Sequence, residues 1–186
     1  MKLSVIVCVF NEIKTIEKIL HKIDNAKLQN NIQKEIIIID NNSSDGTKEF
    51  LEKIPISNNL KIFFQKKNLG KGNSIIKGIK ESTGDLIVFQ DADLEYDPNN
   101  FNKLVNHLLK NKLDAVFGSR IKNGKVHFHH GFNNYELLKR RTMKYYVIFL
   151  TKLINLLYRG SFTDVATNHK LIKREVLNKL NLVFKG

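Results

Sequence analysis

Apolar and polar positions along the chain follow two alternating periods. Leu3–Phe10 is a continuous apolar, β-branched run, and Glu35–Asp40 holds four consecutive isoleucines. Leu60–Gln65, Asp85–Gln90 and Leu113–Gly118 are shorter runs of the same kind. Runs this apolar predict parallel strands buried on both faces. Between them the period lengthens. Ile13, Ile16, Ile19, Leu20 and Ile23 share one helical face, and so do Phe101, Leu104, Val105, Leu108 and Leu109. Thr47–Ile54 and Lys71–Ser82 fill the other gaps as helices. This alternation predicts an α/β layered domain with a mostly parallel sheet flanked by helices, and no internal repeat is visible.

After Gly118 the pattern changes. Residues 119–134 are polar and rich in His and Gly, and they read as a long loop. Tyr135–Arg159 opens on Lys139, Arg140 and Arg141 and continues as a long apolar helix. A second loop around Gly160–Asn168 leads to a short last helix, Lys173–Leu180. The chain thus divides into an α/β unit, 1–120, and a following segment, 121–186. Within the long helix Lys144, Thr151, Lys152, Asn155 and Arg159 form one narrow polar stripe. The apolar remainder is wider than the roughly 100° stripe a surface helix needs, and basic residues flank it. Residues 139–159 are therefore expected to lie in a membrane interface, the alternative being packing on the sheet or on a second subunit. No apolar stretch reaches the roughly 18 residues of a spanning helix. The N-terminus reads as a first strand, not a signal peptide.

At 186 residues with 42% of them hydrophobic, the chain suits one compact domain with a real core. A net charge of +13 favours anionic partners: nucleic acid, an acidic membrane surface or phosphorylated small molecules. No nucleic-acid motif, aromatic platform or basic recognition helix accompanies it, which sets a nucleic-acid binder low. Cys8 is the only cysteine, so no internal disulfide forms and a reducing, cytoplasmic setting is the natural one.

Ligands of open α/β sheets bind at the carboxyl ends of the strands. Those ends here are Asn11-Glu12, Asp40-Asn41-Asn42, Asp91-Ala92-Asp93 and Ser119-Arg120, which together describe a polar site. Asp91 and Asp93, two apart in an extended segment, can face one point. Paired carboxylates are costly without a cation, and Mg²⁺ or Mn²⁺ completed by phosphate oxygens and water is the expected partner. Glu95 and Asp97 add acid beside them. Asp45 is assigned to capping the turn before Thr47, whereas for Asp40 a turn-capping role and a site role both stay open. Asn68 to Ser74 lacks P-loop spacing. Its Gly70 and Gly72 permit a tight turn, and Lys71 offers a positive charge. The His127, His129, His130 cluster reads as a solvated loop, having no cysteine partner for zinc.

These groups, in this order, resemble family 2 glycosyltransferases, especially the branch of dolichyl-phosphate mannose synthase and polyprenyl-phosphate sugar transferases. The resemblance rests on Val5 to Glu12, Ile39 to Thr47, Asn68 to Gly72, Gly84 to Pro98, Ala115 to Arg120, and Thr163 to Lys170 followed by Arg174 to Leu177. It implies a GT-A, Rossmann-like fold with a nucleotide-sugar-binding unit over 1–120 and an acceptor-side segment over 121–186. Asn11, Glu12 and Asp40 would line the base and ribose, and Lys71 and Asp91 would sit in the donor pocket. Asp93 would be the principal metal ligand, beside Asp91 and with Glu95 completing the shell. Ser119, Arg120 and Lys170 would face the diphosphate or the acceptor phosphate. The implied reaction is an inverting transfer from GDP-mannose or a UDP-hexose to a polyprenyl or dolichyl phosphate at the cytoplasmic membrane face. A glycan hydroxyl acceptor, with Asp164 as its base, and a nucleotidyltransferase-like reaction are the alternatives. Departures include Cys8, Asn41, Asn42 and Asn168-His169. The branch also continues past residue 186, so a fragment or shortened member is expected.

Overall fold

A computed structural model describes residues 1–122, 125–126, 137–180 and 182. The first four of the five apolar runs become β1 (Lys2–Val9), β2 (Gln33–Asp40), β3 (Leu60–Phe64) and β4 (Leu86–Asp91). They run parallel in the order β3-β2-β1-β4. The register sets Val9 beside Asp40 and Cys8 beside Asp91, so the polar strand ends share one edge.

The far side of the sheet departs from the sequence pattern. β5 (Ala115–Phe117) does not neighbour β4. Between them lies β8 (Lys170–Lys173), antiparallel to both. The expected last helix Lys173–Leu180 contracts to α6 (Arg174–Lys179), because Lys173 ends this strand. Leu171 explains the strand: it is fully buried and sits between Val88 and Val116 in register. The sheet of the 1–120 unit thus takes a strand from the 121–186 segment. The expected loop over 119–134 also contains a small antiparallel pair, β6 (Ile121–Lys122) with β7 (Lys125–Val126). The histidines 127, 129 and 130 lie outside the described residues, as do the side chains of residues 139–141.

Helices cover both faces. α1 (Ile16–Asn25) and α4 (Phe101–Lys110) bury Ile16, Ile19, Ile23, Phe101, Val105 and Leu108 against one face, joined by Leu51 of α2 (Thr47–Glu52). Ile13 and Leu109, placed on those faces by period alone, are instead 39% and 37% exposed. Ile13 precedes the helix and donates its N–H to Asp45. α3 (Gly70–Glu81) packs on β1 and β2 across the other face, where Ile6, Ile37, Ile39, Ile87 and Leu177 form a second cluster. Gly78 permits that approach, since a Cβ there would overlap the Ile6 side chain. Ile38 is fully buried in the larger cluster, so Ile38→Val is expected to cost about 0.5–1.5 kcal/mol. Urea midpoints check this, and an unchanged midpoint would remove Ile38 from the core.

At the opposite edge from the polar strand ends, Glu35 is buried at the start of β2. It accepts hydrogen bonds from Ser4 Oγ (2.5 Å), Thr83 N (2.6 Å), Thr83 Oγ1 (2.9 Å) and Gly84 N (3.1 Å), and it pairs with Lys2 Nζ at 2.7 Å. β1, β2 and the approach to β4 are tied there by one carboxylate.

Candidate donor-binding and metal-binding site

A cavity of about 500 Å³ opens at the carboxyl edge of β1, β2 and β4. Of the residues singled out from sequence, Glu12, Lys71, Asp91, Asp93, Glu95 and Arg120 line it. The acidic segment is shaped by a turn, not by strand alternation. β4 ends at Asp91; then Asp93 Oδ1 accepts from Glu95 N (2.9 Å), and Leu94 adopts a left-handed φ of 66°. Gln90, itself buried, donates from Nε2 to the carbonyls of Asp91 and Tyr96, both at 3.0 Å, and so closes the segment on itself. The turn brings carboxylate oxygens of Asp91, Asp93 and Glu95 within 4.8 Å of one another.

Three carboxylates so close suit a hard divalent cation, whose ligands are oxygens and whose remaining shell is phosphate and water. The fit is supported by Glu95 Oε1, which is buried without a hydrogen bond; its ion pair with Arg120 Nη1 spans 3.6 Å. Burial raises the Asp93 and Glu95 carboxyls above their ordinary range, with the neighbouring Asp91 charge adding to it. Burial also raises Glu12, whose Oε2 accepts from Thr15 Oγ1 at 2.6 Å. A bound cation would favour the ionised forms of the clustered acids.

Among the described residues, Lys71 and Arg120 bring positive charge to the cluster. Lys71, in the first turn of α3, pairs with Asp91 Oδ1. Arg120 is held by Asp164, whose Oδ2 accepts from Nε at 2.8 Å and whose Oδ1 accepts from Nη2 at 3.1 Å. Burial would raise the Asp164 carboxyl, but those bonds from Arg120 outweigh it and hold it below the ordinary range. Asp164 itself is buried behind Arg120 and does not line the cavity.

The other expected residues sit around the cavity without lining it. Asn11, at φ 56°, accepts from Ser44 N through Oδ1 and donates its own N–H to Ser43 Oγ, so it shapes the turn. Asp40 is fully buried: Oδ2 accepts from Ser43 N, while Oδ1 has no hydrogen-bond partner. Ser119 exchanges hydrogen bonds with Ile121. Lys170 Nζ stands 5.2 Å over the Phe117 ring, and burial and the nearby Lys71 charge lower its pKa. Asp45 caps the turn before α2 through Thr47 N, as its place in the sequence suggested.

Asn41, Asn168 and Cys8 also line the cavity, and of these the sequence placed only Asn41 at a polar strand end. Asn41 donates to Asn68 Oδ1 at 2.7 Å, an amide pair that joins the ends of β2 and β3. Asn168 donates from Nδ2 to Asp91 Oδ2 at 3.0 Å, and its N–H meets Tyr96 Oη at 3.2 Å. His169 follows it, buried against Tyr96 and Phe101, and burial lowers its pKa to about 4, keeping the ring neutral. Cys8 lines the cavity with a thiol that burial raises to about 12, so it is no nucleophile at neutral pH. Cys8 and Asn168 stood out in the sequence only as departures from a family pattern.

The sequence model described as glycosyl transferase family 2 matches residues 4–180. A dolichol-phosphate mannosyltransferase of Pyrococcus furiosus is 38% identical over 127 residues, covering 68% of this chain and 35% of its own length. A cholesterol galactosyltransferase of Borreliella burgdorferi is 28% identical, covering 97% of this chain and 50% of its own. The chain thus spans half or less of the length of these two relatives. Among solved structures, the mannosyltransferase PcManGT of Pyrobaculum calidifontis, in complex with GDP-Man and Mn²⁺, superposes with a TM-score of 0.62. It is 20% identical, and the match covers 96% of this chain and 46% of that one. That likeness establishes the shared GT-A fold.

Proposed function

Because the chain belongs to glycosyl transferase family 2, we propose that it transfers a sugar from a nucleotide-diphospho-sugar to a phosphate-bearing lipid of the polyprenyl or dolichyl kind. The observation that carries this reading is the cavity at the strand ends, where Asp91, Asp93 and Glu95 converge opposite Lys71 and Arg120. Asp93 and Glu95, with Asp91 beside them, would hold Mg²⁺ or Mn²⁺; when bound, the ion neutralises charge developing on the leaving diphosphate. The structural neighbour with GDP-Man and Mn²⁺ supports that pairing of donor and metal.

In the transfer, a phosphate oxygen of the acceptor attacks the anomeric carbon as the bond from that carbon to the diphosphate breaks. The nucleoside diphosphate leaves with the electron pair, and the configuration inverts. Arg120 and Lys71 supply positive charge where the phosphates meet. The choice between a phosphate and a hydroxyl acceptor turns on Asp164, the base that a hydroxyl would require. Both its oxygens accept from Arg120, and its pKa is held low, which suits an anchor for Arg120 better than a proton acceptor. A phosphate monoester, with a second pKa near ~6, is already ionised and needs no base.

Calorimetric titration of GDP and UDP with Mn²⁺ or with EDTA tests the donor side. Binding by one nucleotide that disappears in EDTA is expected, and equal heats in both conditions would contradict the reading.

The acceptor side draws support from α5 (Leu137–Tyr158). Its Val147 and Thr151 face inward, and Thr151 Oγ1 accepts from Val165 N. Asn155 bonds the backbone of Phe162 in both directions. Tyr146, Phe149, Leu156, Leu157 and Tyr158 are instead exposed, Leu156 by 78%, so the broad apolar side looks away from the domain. Among the described residues, no helix is long and apolar enough to cross a membrane. An apolar outward face fits the interface of a bilayer that carries the acceptor. Co-sedimentation with anionic liposomes is expected at low salt and should weaken as salt rises. Protein that stays in the supernatant at low salt would place this face against protein instead.

A further inference from the structure

Asp91 differs from its two acidic neighbours in having both oxygens engaged by the chain itself. Oδ1 is paired with the Lys71 ammonium, and Oδ2 accepts from Asn168 Nδ2 at 3.0 Å. Asp93 Oδ1 accepts the Glu95 N–H, and Glu95 Oε1 is buried without a hydrogen bond. Among the described residues three carboxylates thus face two cations, and one cation, Lys71, stands on the carboxylate that a divalent ion would share.

A divalent ion approaching Asp91 meets a positive charge already in contact with it. The ion must either do without Asp91 or displace Lys71. Lys71 is able to move: its side chain is 47% exposed, on a flexible four-carbon stem at the start of α3. What would draw it off is an anion in the same space, and Gly70 and Lys71 both line the cavity. A diphosphate there offers the ammonium two or three negative charges in exchange for one.

We infer that Lys71 is a built-in counter-ion that guards Asp91 in the donor-free protein and releases it to the metal when a nucleoside diphosphate arrives. The inference rests on the metal reading above and adds an order to it: cation and nucleotide bind as an interdependent pair, and the cation alone binds weakly. By linkage, the factor by which nucleotide tightens Mn²⁺ equals the factor by which Mn²⁺ tightens nucleotide. Lys71 contributes to that factor because it opposes the cation and attracts the diphosphate. Its role is to position and shield Asp91, so its signature is a change in coupling and not merely in activity.

The test is Mn²⁺ binding followed by the electron paramagnetic resonance signal of the free ion, with and without GDP or UDP. For the parent, nucleotide is expected to tighten Mn²⁺ on the order of tenfold or more. Lys71→Met and Lys71→Gln should bind Mn²⁺ alone on the order of tenfold more tightly than the parent, with a smaller gain on adding nucleotide. Lys71→Arg should keep the parent's pattern. Lys80→Met, which removes the same charge from the exposed far end of α3, should match the parent. Unchanged Mn²⁺ affinity in both neutral Lys71 variants, or an equal gain in Lys80→Met, would overturn the guard while leaving the metal site intact. A parent that takes up no Mn²⁺ even with either nucleotide would overturn the metal site and the guard together.

Discussion

Asp93→Asn is expected to remove metal-dependent nucleotide binding and to lower transfer roughly 10²–10³-fold, without loosening the fold. The substitution is close to isosteric. Asp93 Oδ1 accepts the Glu95 N–H at 2.9 Å, and an asparagine carbonyl can accept it equally, so the turn that gathers the carboxylates is kept. What disappears is the charge. Burial, with the charge of Asp91, raises the Asp93 carboxyl, so its ionised form is disfavoured in the free protein. A raised carboxyl contributes stability below its unfolded pKa and loses it as pH rises through the folded one. At neutral pH Asp93 therefore costs stability, and the asparagine variant should melt at the same temperature or slightly above it. Loss of function with unreduced stability is the pattern of a residue kept for its ligand. Calorimetry with Mn²⁺, a product assay and a melting curve measure the three parts. Retained Mn²⁺-dependent binding would contradict the assignment, whatever the melting temperature.

The second large effect lies at the other edge of the sheet. Glu35→Ala should destabilise the protein by about 3–5 kcal/mol, because it leaves several buried donors without their acceptor at once, each costing about 1–3 kcal/mol. Ser4 Oγ, Thr83 N and Thr83 Oγ1 lose their acceptor, whereas Gly84 N keeps Ser4 Oγ and Lys2 Nζ keeps Thr83 Oγ1, each at 2.8 Å. Glu35→Gln keeps an acceptor oxygen and should lose less. The site also predicts an acid limb. Burial alone would raise the Glu35 carboxyl, but the bonds from Lys2, Ser4 and Thr83 hold it down to about 2. A depressed carboxylate contributes stability above its unfolded pKa, near ~4.3, and that contribution fades as pH falls toward the folded value. Between about pH 4.5 and about pH 2, urea midpoints of the parent should therefore drop more steeply than those of Glu35→Gln. Parallel curves would show that Glu35 is not the group responsible.

Glu35 also marks where the sequence was silent. It stands beside four isoleucines and reads as the polar start of a strand; only the register with Ser4 and the arrival of Thr83 from 48 residues away give it partners. The first four strands were legible because both of their faces are covered, which leaves continuous apolar runs. β8 was not, since Lys170-Leu171-Ile172-Lys173 is short and framed by lysines. The carboxylate spacing at 91, 93 and 95 signalled a cation site, yet the cause of convergence is a turn with Leu94 in the left-handed region. Alternation along a strand would have given Asp91 and Asp93 one direction only while the strand lasted, and β4 ends at Asp91. The partners of Arg120 and Asp91, namely Asp164 and Asn168, lie 44 and 77 residues away. Contacts that distant depend on topology, which local pattern does not carry.

The late strand also bears on how the sheet is completed. β8 sits between β4 and β5, though it is made more than fifty residues after both. Until residues 170–173 emerge, β4 and β5 each present a bare row of backbone donors and acceptors, and those rows cannot pair with each other in the native order. Non-local closure of this kind slows folding and leaves sticky edges open in the interim. A chain cut before residue 170 should therefore keep β1 to β4 and α1 to α4 but self-associate through its open edge. During synthesis, the docking of β8 that covers the open edge of β4 also delivers Asn168 to Asp91, so one late strand serves both the core and the site.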